Sequence, residues 1–497
     1  MRNFQINFIT NTATIRWLKI LMAFEKNYQC STQGLAKISG STTRTIVTDI
    51  TDLKEYFGDC LSIDSSHKGY IFSIKQSAVY LTKKRALIAD EILFHIIESI
   101  FHNDLYSSSE WAEKYHISES TVLRYLRKVQ PIFSFYRLEI QTNPICFLGE
   151  EINIRKFFHD FYYESEITAH TIFPPIAIQN ITASAFSRCY QLDQHACSFG
   201  EFNYYLYITF ERHCAGQRIE LPKQIKKLFE QYNDFRLFSE INEAVSEQYQ
   251  KELPYEEVLY LFLLVKTRRS ISNLAIEQTF CREYNHWPEI KQLAAAFVKD
   301  CLPDTQDSAR DRLLVESFFT VAKIKQLLSP LLNHMISDTV QFVEEAYTDD
   351  YHLIKNYLLT QPLAREIWDS NTLEHLGTSL TMYVTSIKSL YWQAKKNIAF
   401  LFEGPFYLCQ LLKCKSVRYL RSSRTFYFPD SNELSAGYLE KNQIDLIVTN
   451  YTEYITEYAQ VIDYLLFKTF PDVHDWEALE ETLISILDQR TPAVPSI

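Results

Sequence analysis

The sequence predicts a mainly α, multidomain protein that ends in a small α/β domain. Three observations carry that reading. Glycine is scarce, 10 of 497 residues, where average usage of roughly 7% would supply about 35. A chain so poor in glycine has few tight β-turns, which excludes barrels and sandwiches. Long stretches place their apolar and aromatic residues at helical spacing, with 32 Tyr and 34 Phe among them. Only the last hundred residues alternate short apolar runs with helical segments, the pattern of a small parallel sheet. Apolar residues make up 46% and charged residues 22%, so the chain buries large cores and is not disordered. Its length implies three to five domains.

The elements begin with a duplication. Ser31 is placed to cap a short helix running to Lys37, Gly40 permits a turn, and Ile46, Ile50 and Leu53 mark a second helix. Adding 76 to each number gives Ser107, Ala112, Val122, Leu126 and Val129 in the places of Ser31, Ala36, Ile46, Ile50 and Leu53. The preceding helix repeats too, Leu18, Ile20, Leu21 and Phe24 against Phe94, Ile96, Ile97 and Ile100. A small residue where two helices cross, a turn four residues on and an apolar lock ten residues on is helix-turn-helix spacing. A candidate β-hairpin wing follows each unit, Leu61–Ile74 in the first and Arg137–Ile140 with Cys146–Gly149 around Asn143-Pro144 in the second. The reading is two winged helix-turn-helix domains, residues 1–75 and 76–164.

The exposed faces of these units suit double-stranded DNA. The first second-helix opens Ser41-Thr42-Thr43-Arg44-Thr45, with Thr48 one turn later, and its counterpart carries Ser118, Ser120, Thr121, Arg124, Arg127 and Lys128. Small hydroxyls at a helix N-terminus approach phosphates, and arginine bonds the guanine edge in the major groove. His67 and Lys68 sit at the first wing tip, within reach of backbone or minor groove. The whole chain is acidic, net −11, but only the contacting face must be positive, and the first 150 residues are close to neutral.

Helical segments fill the middle of the chain: Phe202–Phe210, Glu256–Thr267, Leu313–Leu328, Thr339–Leu358 and Leu380–Ala394. Length divides them into two five-helix domains, 165–284 and 285–395, with a seam near Tyr284–Pro288. In the final domain, 396–497, strands are expected at Asn397–Glu403, Gln443–Asn450 and Val461–Phe467, and a helix at Trp476–Leu487. Tyr451, Tyr454 and Tyr458 share one helical face there and are candidates for self-association.

This order resembles the Mga/AtxA family of transcriptional regulators of low-GC Gram-positive bacteria. The segment Leu148-Gly-Glu-Glu-Ile-Asn-Ile-Arg155 after the second wing resembles the family's transition into its helical part. The resemblance implies that the helical domains are PRD domains, phosphorylated on histidine by a phosphocarrier protein of the phosphotransferase system. The stretch Tyr204–Ile219 resembles the family's Arg…Gly-His-x-Ile segment, with Gln217 where the His is usual and His213 four residues earlier. His213 and, in the second domain, His334 are the phosphorylation candidates, with His286 and His352 behind them. The final domain resembles the EIIB domain that closes Mga-type regulators. The active carrier has a nucleophilic Cys in the loop after the first strand; here that loop reads Glu403-Gly404-Pro405-Phe406, and Cys409 comes two helical turns later. A sheet domain kept for self-association, giving a homodimer or higher oligomer, is therefore expected in place of a carrier.

Other function classes fit less well. The ten cysteines are scattered without a Cys-x-x-Cys pair, which speaks against a zinc module and a disulfide framework. No cofactor, no resident metal and no catalytic residue is called for. The start, Met1-Arg-Asn-Phe-Gln-Ile-Asn, has no apolar signal core, and the longest apolar run, Val258–Val265, is far too short to cross a bilayer, so a cytoplasmic protein with no membrane partner is expected. The alternatives are a PRD-containing RNA-binding antiterminator, whose β-rich N-terminal domain the helical repeat would have to replace, and a phosphotransferase-system phosphocarrier.

Overall fold

The structure is a computed structural model that describes residues 3–188, 198–229, 236–303, 305, 307–392, 397–419, 425–429, 435–452 and 462–488. It divides into two compact units, Met1–Cys301 with Arg312–Met382, and Leu302–Asp311 with Tyr383–Ile497.

The larger unit opens with a helical turn, α1 (Asn3–Ile6), and then builds the first repeat from α2 (Thr12–Lys26), β1 (Gln29–Cys30), α3 (Thr32–Ser39) and α4 (Thr43–Phe57). Its hairpin, β2 (Leu61–Ser66) and β3 (Gly69–Ile74), is antiparallel, and β3 also pairs with β1. Gly69 sits at φ +122, where a Cβ would fall 2.3 Å from the Cys30 carbonyl oxygen, so only glycine lets the wing fold back onto β1. After α5 (Ser77–Ala86), the second repeat follows as α6 (Ile92–His102), α7 (Ser108–Lys114), α8 (Glu119–Phe135), β4 (Glu139–Thr142) and β5 (Ile145–Leu148). The 76-residue offset holds at the level of caps. Ser31 Oγ accepts the Gly34 N–H at 3.0 Å, and Ser107 forms a full capping box with Glu110. At the turn, Ser41 N–H donates to the Ala36 carbonyl and Ile117 N–H to the Ala112 carbonyl, both at 3.0 Å. Gly40 takes the left-handed conformation there at φ 66, and His116 takes it in the second copy at φ 53.

The two cores differ in their surroundings. Ile20, Leu21, Phe24, Leu35, Ile46, Ile50, Leu53, Phe57 and Phe72 form a core of their own, closed from below by Tyr80 of α5. Each such side chain contributes about 1.5–3 kcal/mol when fully buried. The second repeat's Phe94, Trp111, Val122, Leu126, Val129 and Phe133 belong instead to one core continuous with the helical body. Phe133 lies 5.4 Å from Phe157 of α9 (Glu151–Tyr162), and Phe101 lies 5.7 Å from Tyr207. Phe4, Ile6, Phe8 and Ile9 thread into this second core, not the first, with Phe8 5.2 Å from Phe161.

The body continues as α10 (Ile176–Arg188), α11 (Phe199–Cys214), α12 (Lys223–Phe229), α13 (Arg236–Tyr249), α14 (Tyr255–Lys266), α15 (Leu274–Tyr284), α16 (Pro288–Cys301), α17 (Ser308–Leu328), α18 (Ser337–Ala346), α19 (Thr348–Thr360), α20 (Pro362–Ile367) and α21 (Ser370–Tyr391). The stretch expected as one helix over Thr339–Leu358 is two, broken at Tyr347, whose backbone stands at φ −134 and ψ 43. The last body helix starts at Ser370, ten residues before the expected Leu380, and Ala394 lies outside the described residues.

In the smaller unit, β6 (Asn397–Leu401), α22 (Phe406–Tyr419), β7 (Thr425–Tyr427), α23 (Ala436–Lys441), β8 (Ile444–Thr449) and β9 (Asp463–Leu466) precede a closing helix, Val473–Asp488. The sheet order is β7-β6-β8-β9 and every pairing is parallel. Phe400, Leu446, Val448, Phe467 and Trp476 pack its core. β7, three residues long, has no apolar run to announce it. Tyr451 is exposed, while Tyr454 and Tyr458 lie outside the described residues.

Candidate nucleic-acid interface

α4 and α8 are the second helices of the two repeats, and their apolar stripes fix which side faces out. Ile46, Ile50 and Leu53 point into one core, and Val122, Leu126 and Val129 into the other. The N-caps coincide under the 76-residue offset: Thr42 Oγ1 accepts the Thr45 N–H and Ser118 Oγ accepts the Thr121 N–H, both at 3.2 Å. Thr42, Thr43, Arg44 and Thr48 are exposed, and Ser41 and Thr45 are half-buried. Ser41 bonds Ser39 at 2.7 Å, Thr45 bonds Thr42 at 2.9 Å, and Thr48 back-bonds the Arg44 carbonyl at 3.4 Å. In α8, Ser118, Ser120, Arg124, Arg127 and Lys128 are exposed and Thr121 is half-buried. Arg124 rests over the Tyr125 ring at 5.6 Å, and Lys128 Nζ donates to the Ile9 carbonyl at 3.1 Å. Lys128 therefore also fastens the N-terminal segment.

The two faces are not chemically equal. The offset sets Thr48 against Arg124 and Thr51 against Arg127, hydroxyls in one copy and guanidinium groups in the other. The wing tips differ as well. His67 and Lys68 form the exposed turn of the first, and Asn143-Pro144 the tip of the second. Behind α4, Asp49 is buried and accepts from Arg16 and from Trp17 Nε1, a polar anchor with no counterpart in the second copy.

The two histidine candidates are differently placed. His213, near the end of α11, is half-buried, with its Nδ1 3.9 Å from Glu257 Oε1, and burial holds its imidazole below the ordinary value. His334 is buried and stacked on His375 at 4.4 Å, and burial together with His375 pushes it down to about 3. Arg155, from the segment after the second wing, is buried and bonds Glu257 through both terminal nitrogens, at 2.5 and 3.0 Å. Folding also brings His170 to His95 and Glu98, while His159, Asp160 and Glu164 gather at the end of α9 and just beyond it, each set of metal-capable groups within 4.8 Å. Asp160 is already engaged by Lys156 and by Tyr136. In the smaller unit, the loop after β6 is pinned by Glu403 N–H to Asn450 Oδ1 and Asn450 Nδ2 to the Glu403 carbonyl, both 2.8 Å. Cys409 turns its thiol to the Gly404 carbonyl at 3.7 Å.

Residues 79–162, the whole second repeat with α5 and α9, match the Mga helix-turn-helix domain family. The second repeat is therefore a helix-turn-helix domain of the Mga kind. The capsule synthesis positive regulator AcpB of Bacillus anthracis is 18% identical over 401 residues, 77% of this chain and 81% of that protein. AcpA of the same organism, also a capsule synthesis positive regulator, is 20% identical over 360 residues, 68% of this chain and 70% of that one. No helix among the described residues is long and apolar enough to cross a membrane. The Mga domain match begins at Val79, so the 76-residue duplication extends the same architecture to α2–α4, which lie before it.

Proposed function

We propose that this chain activates transcription by binding duplex DNA with α4 and α8, each flanked by its hairpin wing. One observation carries the reading: two helices 76 residues apart present the same capped, hydroxyl-bearing N-terminus, with Thr42, Thr43 and Arg44 exposed in one and Ser118, Ser120 and Arg124 in the other. Arg124 and Arg127 read base edges or phosphates, Arg44 with Thr42, Thr43, Thr45 and Thr48 grips the backbone, and Ser118, Ser120 and Thr121 do so in the second copy. His67 and Lys68 add backbone contacts. The positive-regulator names of AcpB and AcpA support activation over repression.

With few cations on each face, one chain binds modestly, and pairing of two chains supplies the remaining affinity. The smaller unit, with a four-stranded parallel sheet and no cysteine in the loop after β6, is suited to that pairing and not to phosphoryl transfer. The helical domains are read as PRD domains whose histidine phosphorylation tunes activity. Of the two candidates, His213 is the accessible one, since His334 would have to leave its stack on His375.

A gel shift with duplex DNA from the chain's own genomic neighbourhood, against matched single-stranded RNA, tests the proposal. Preference for duplex supports it, and preference for RNA would replace it with an antiterminator. Arg124→Ala with Arg127→Ala should abolish duplex binding at unchanged thermal stability, because both side chains face solvent.

A further inference from the structure

α9 leads out of the second repeat and turns two opposite faces to different partners. On one face Phe157 lies 5.4 Å from Phe133 and Phe161 lies 5.4 Å from Phe94, both rings of the DNA-reading repeat. On the other, Arg155, Lys156 and His159 line a cavity of about 60 Å³ with Arg268, Lys325 of α17 and His334. A cavity of that size takes a few waters or one small polyatomic ion.

The walls of this cavity offer more donors than acceptors. Arg155 is occupied by Glu257, Lys156 by Asp160, and Arg268 by Glu201 and Tyr205. Lys325 has no hydrogen-bond or ion-pair partner among the described residues. His159 Nε2, Thr209 Oγ1, Arg268 Nε and His334 Nδ1 are buried there without partners as well. Glu164 is the carboxylate in the lining, and it stands 3.8 Å from the other ring nitrogen of His159. Groups of this kind are buried at a cost unless something accepts from them. They approach from α9, α11, α17, the end of α14 and the turn before α18, so an acceptor with oxygens in every direction suits them better than a planar carboxylate.

We propose that this cavity binds a small tetrahedral oxyanion, inorganic phosphate or the terminal group of a phosphorylated metabolite, with Lys325 as its counter-ion. Burial, with Arg268 and Lys156 nearby, pushes the Lys325 ammonium down to about 7 against the pull of Glu201 and Glu164, and a bound anion restores its charge. Because the ligand sits on one face of α9 and the second repeat on the other, occupancy is a route by which a metabolite reaches the DNA-reading helix. The site itself depends on no part of the DNA-binding reading.

Titration calorimetry on the full chain, with inorganic phosphate and separately with a hexose 6-phosphate, tests this. One saturable site is expected, absent with acetate. Lys325→Met should weaken it by about tenfold or more, since a charge-assisted contact is lost. Thr209→Val should weaken it several-fold, and Lys299→Met, on an exposed face of α16, should bind as the parent does. Phosphate should raise the melting temperature of the parent and not that of Lys325→Met. Tighter binding of the hexose phosphate identifies a metabolite, and tighter binding of phosphate identifies the free ion. No saturable heat with either ligand at about 10 mM, well above the range of a built site, overturns the proposal. So does equal binding by Thr209→Val and a folded Lys325→Met.

Discussion

Arg16 of α2 and Asp49 of α4 meet through two parallel hydrogen bonds, Nε to Oδ2 and Nη2 to Oδ1, both 2.9 Å. Trp17 Nε1 adds a third bond to Oδ1 at 3.1 Å. The Asp49 side chain is 3% exposed and that of Arg16 is 25% exposed, so the carboxylate is the buried member and the guanidinium reaches water. Removing Asp49 leaves an indole N–H and a half-buried cation without an acceptor, a cost of about 2–4 kcal/mol. Asp49→Ala should therefore lower the unfolding free energy of the first repeat by that amount in urea titration. Because the first repeat has its own core, its transition should move while that of the second stays in place. A loss below about 0.5 kcal/mol, the size of an exposed pair, would show that the pair is a surface decoration.

Phe8 makes the opposite point about the start of the chain. It is fully buried against Phe161 at 5.2 Å, Phe133 at 5.9 Å and Phe94 at 6.3 Å. The first residues thus complete the core of the second repeat, although they precede the first. Phe8→Ala should cost about 3–5 kcal/mol, and the loss should appear in the transition of the second repeat and helical body. Denaturation followed by a probe in each repeat separates the two outcomes.

What was legible in the sequence was what repeats locally. The 76-residue offset placed both apolar stripes, both N-caps and the first wing, because each depends on residues only three to ten apart. The role of Phe4, Ile6, Phe8 and Ile9 was not legible, because their partners lie about ninety to 160 residues away and four apolar residues are too short a run to assign. The break at Tyr347 was missed because α18 and α19 abut and both keep helical spacing across it. Nor could spacing reveal the donor-lined cavity, whose members run from Arg155 to His334 on separate elements that each read as ordinary amphipathic structure.

His116 carries a conformation suited to glycine. It stands at φ 53 after α7, where Gly40 stands at φ 66 after α3, and its side chain is exposed. A left-handed residue with a Cβ costs about 1–2 kcal/mol, partly offset by the greater freedom glycine gives the unfolded chain. His116→Gly should stabilise the protein by about 0.5–1 kcal/mol, seen as a rise in melting temperature with unchanged DNA affinity. Gly40→Ala should destabilise by a similar amount. If His116→Gly lowers the melting temperature, the imidazole has a role that its geometry does not show.

His334 gives the protein an acid limit whose sign can be worked out. Its imidazole is held at about 3 in the folded state by burial and by His375, against an ordinary value of about 6.5 in the unfolded chain. Between those values the unfolded chain binds a proton here that the folded chain refuses. The contribution to stability is therefore complete above pH 6.5 and is lost as pH falls toward 3, by at most about 1.4 kcal/mol per pH unit. His334→Leu removes the titration and keeps an apolar side chain against Phe135, whose ring lies 5.5 Å from that of His334. From pH 6 to pH 4 the parent should lose about 2 kcal/mol more than the variant in urea titrations. Parallel losses would mean that the imidazole is protonated in place, its charge accepted by Asp369, the nearby carboxylate that pulls its titration the other way.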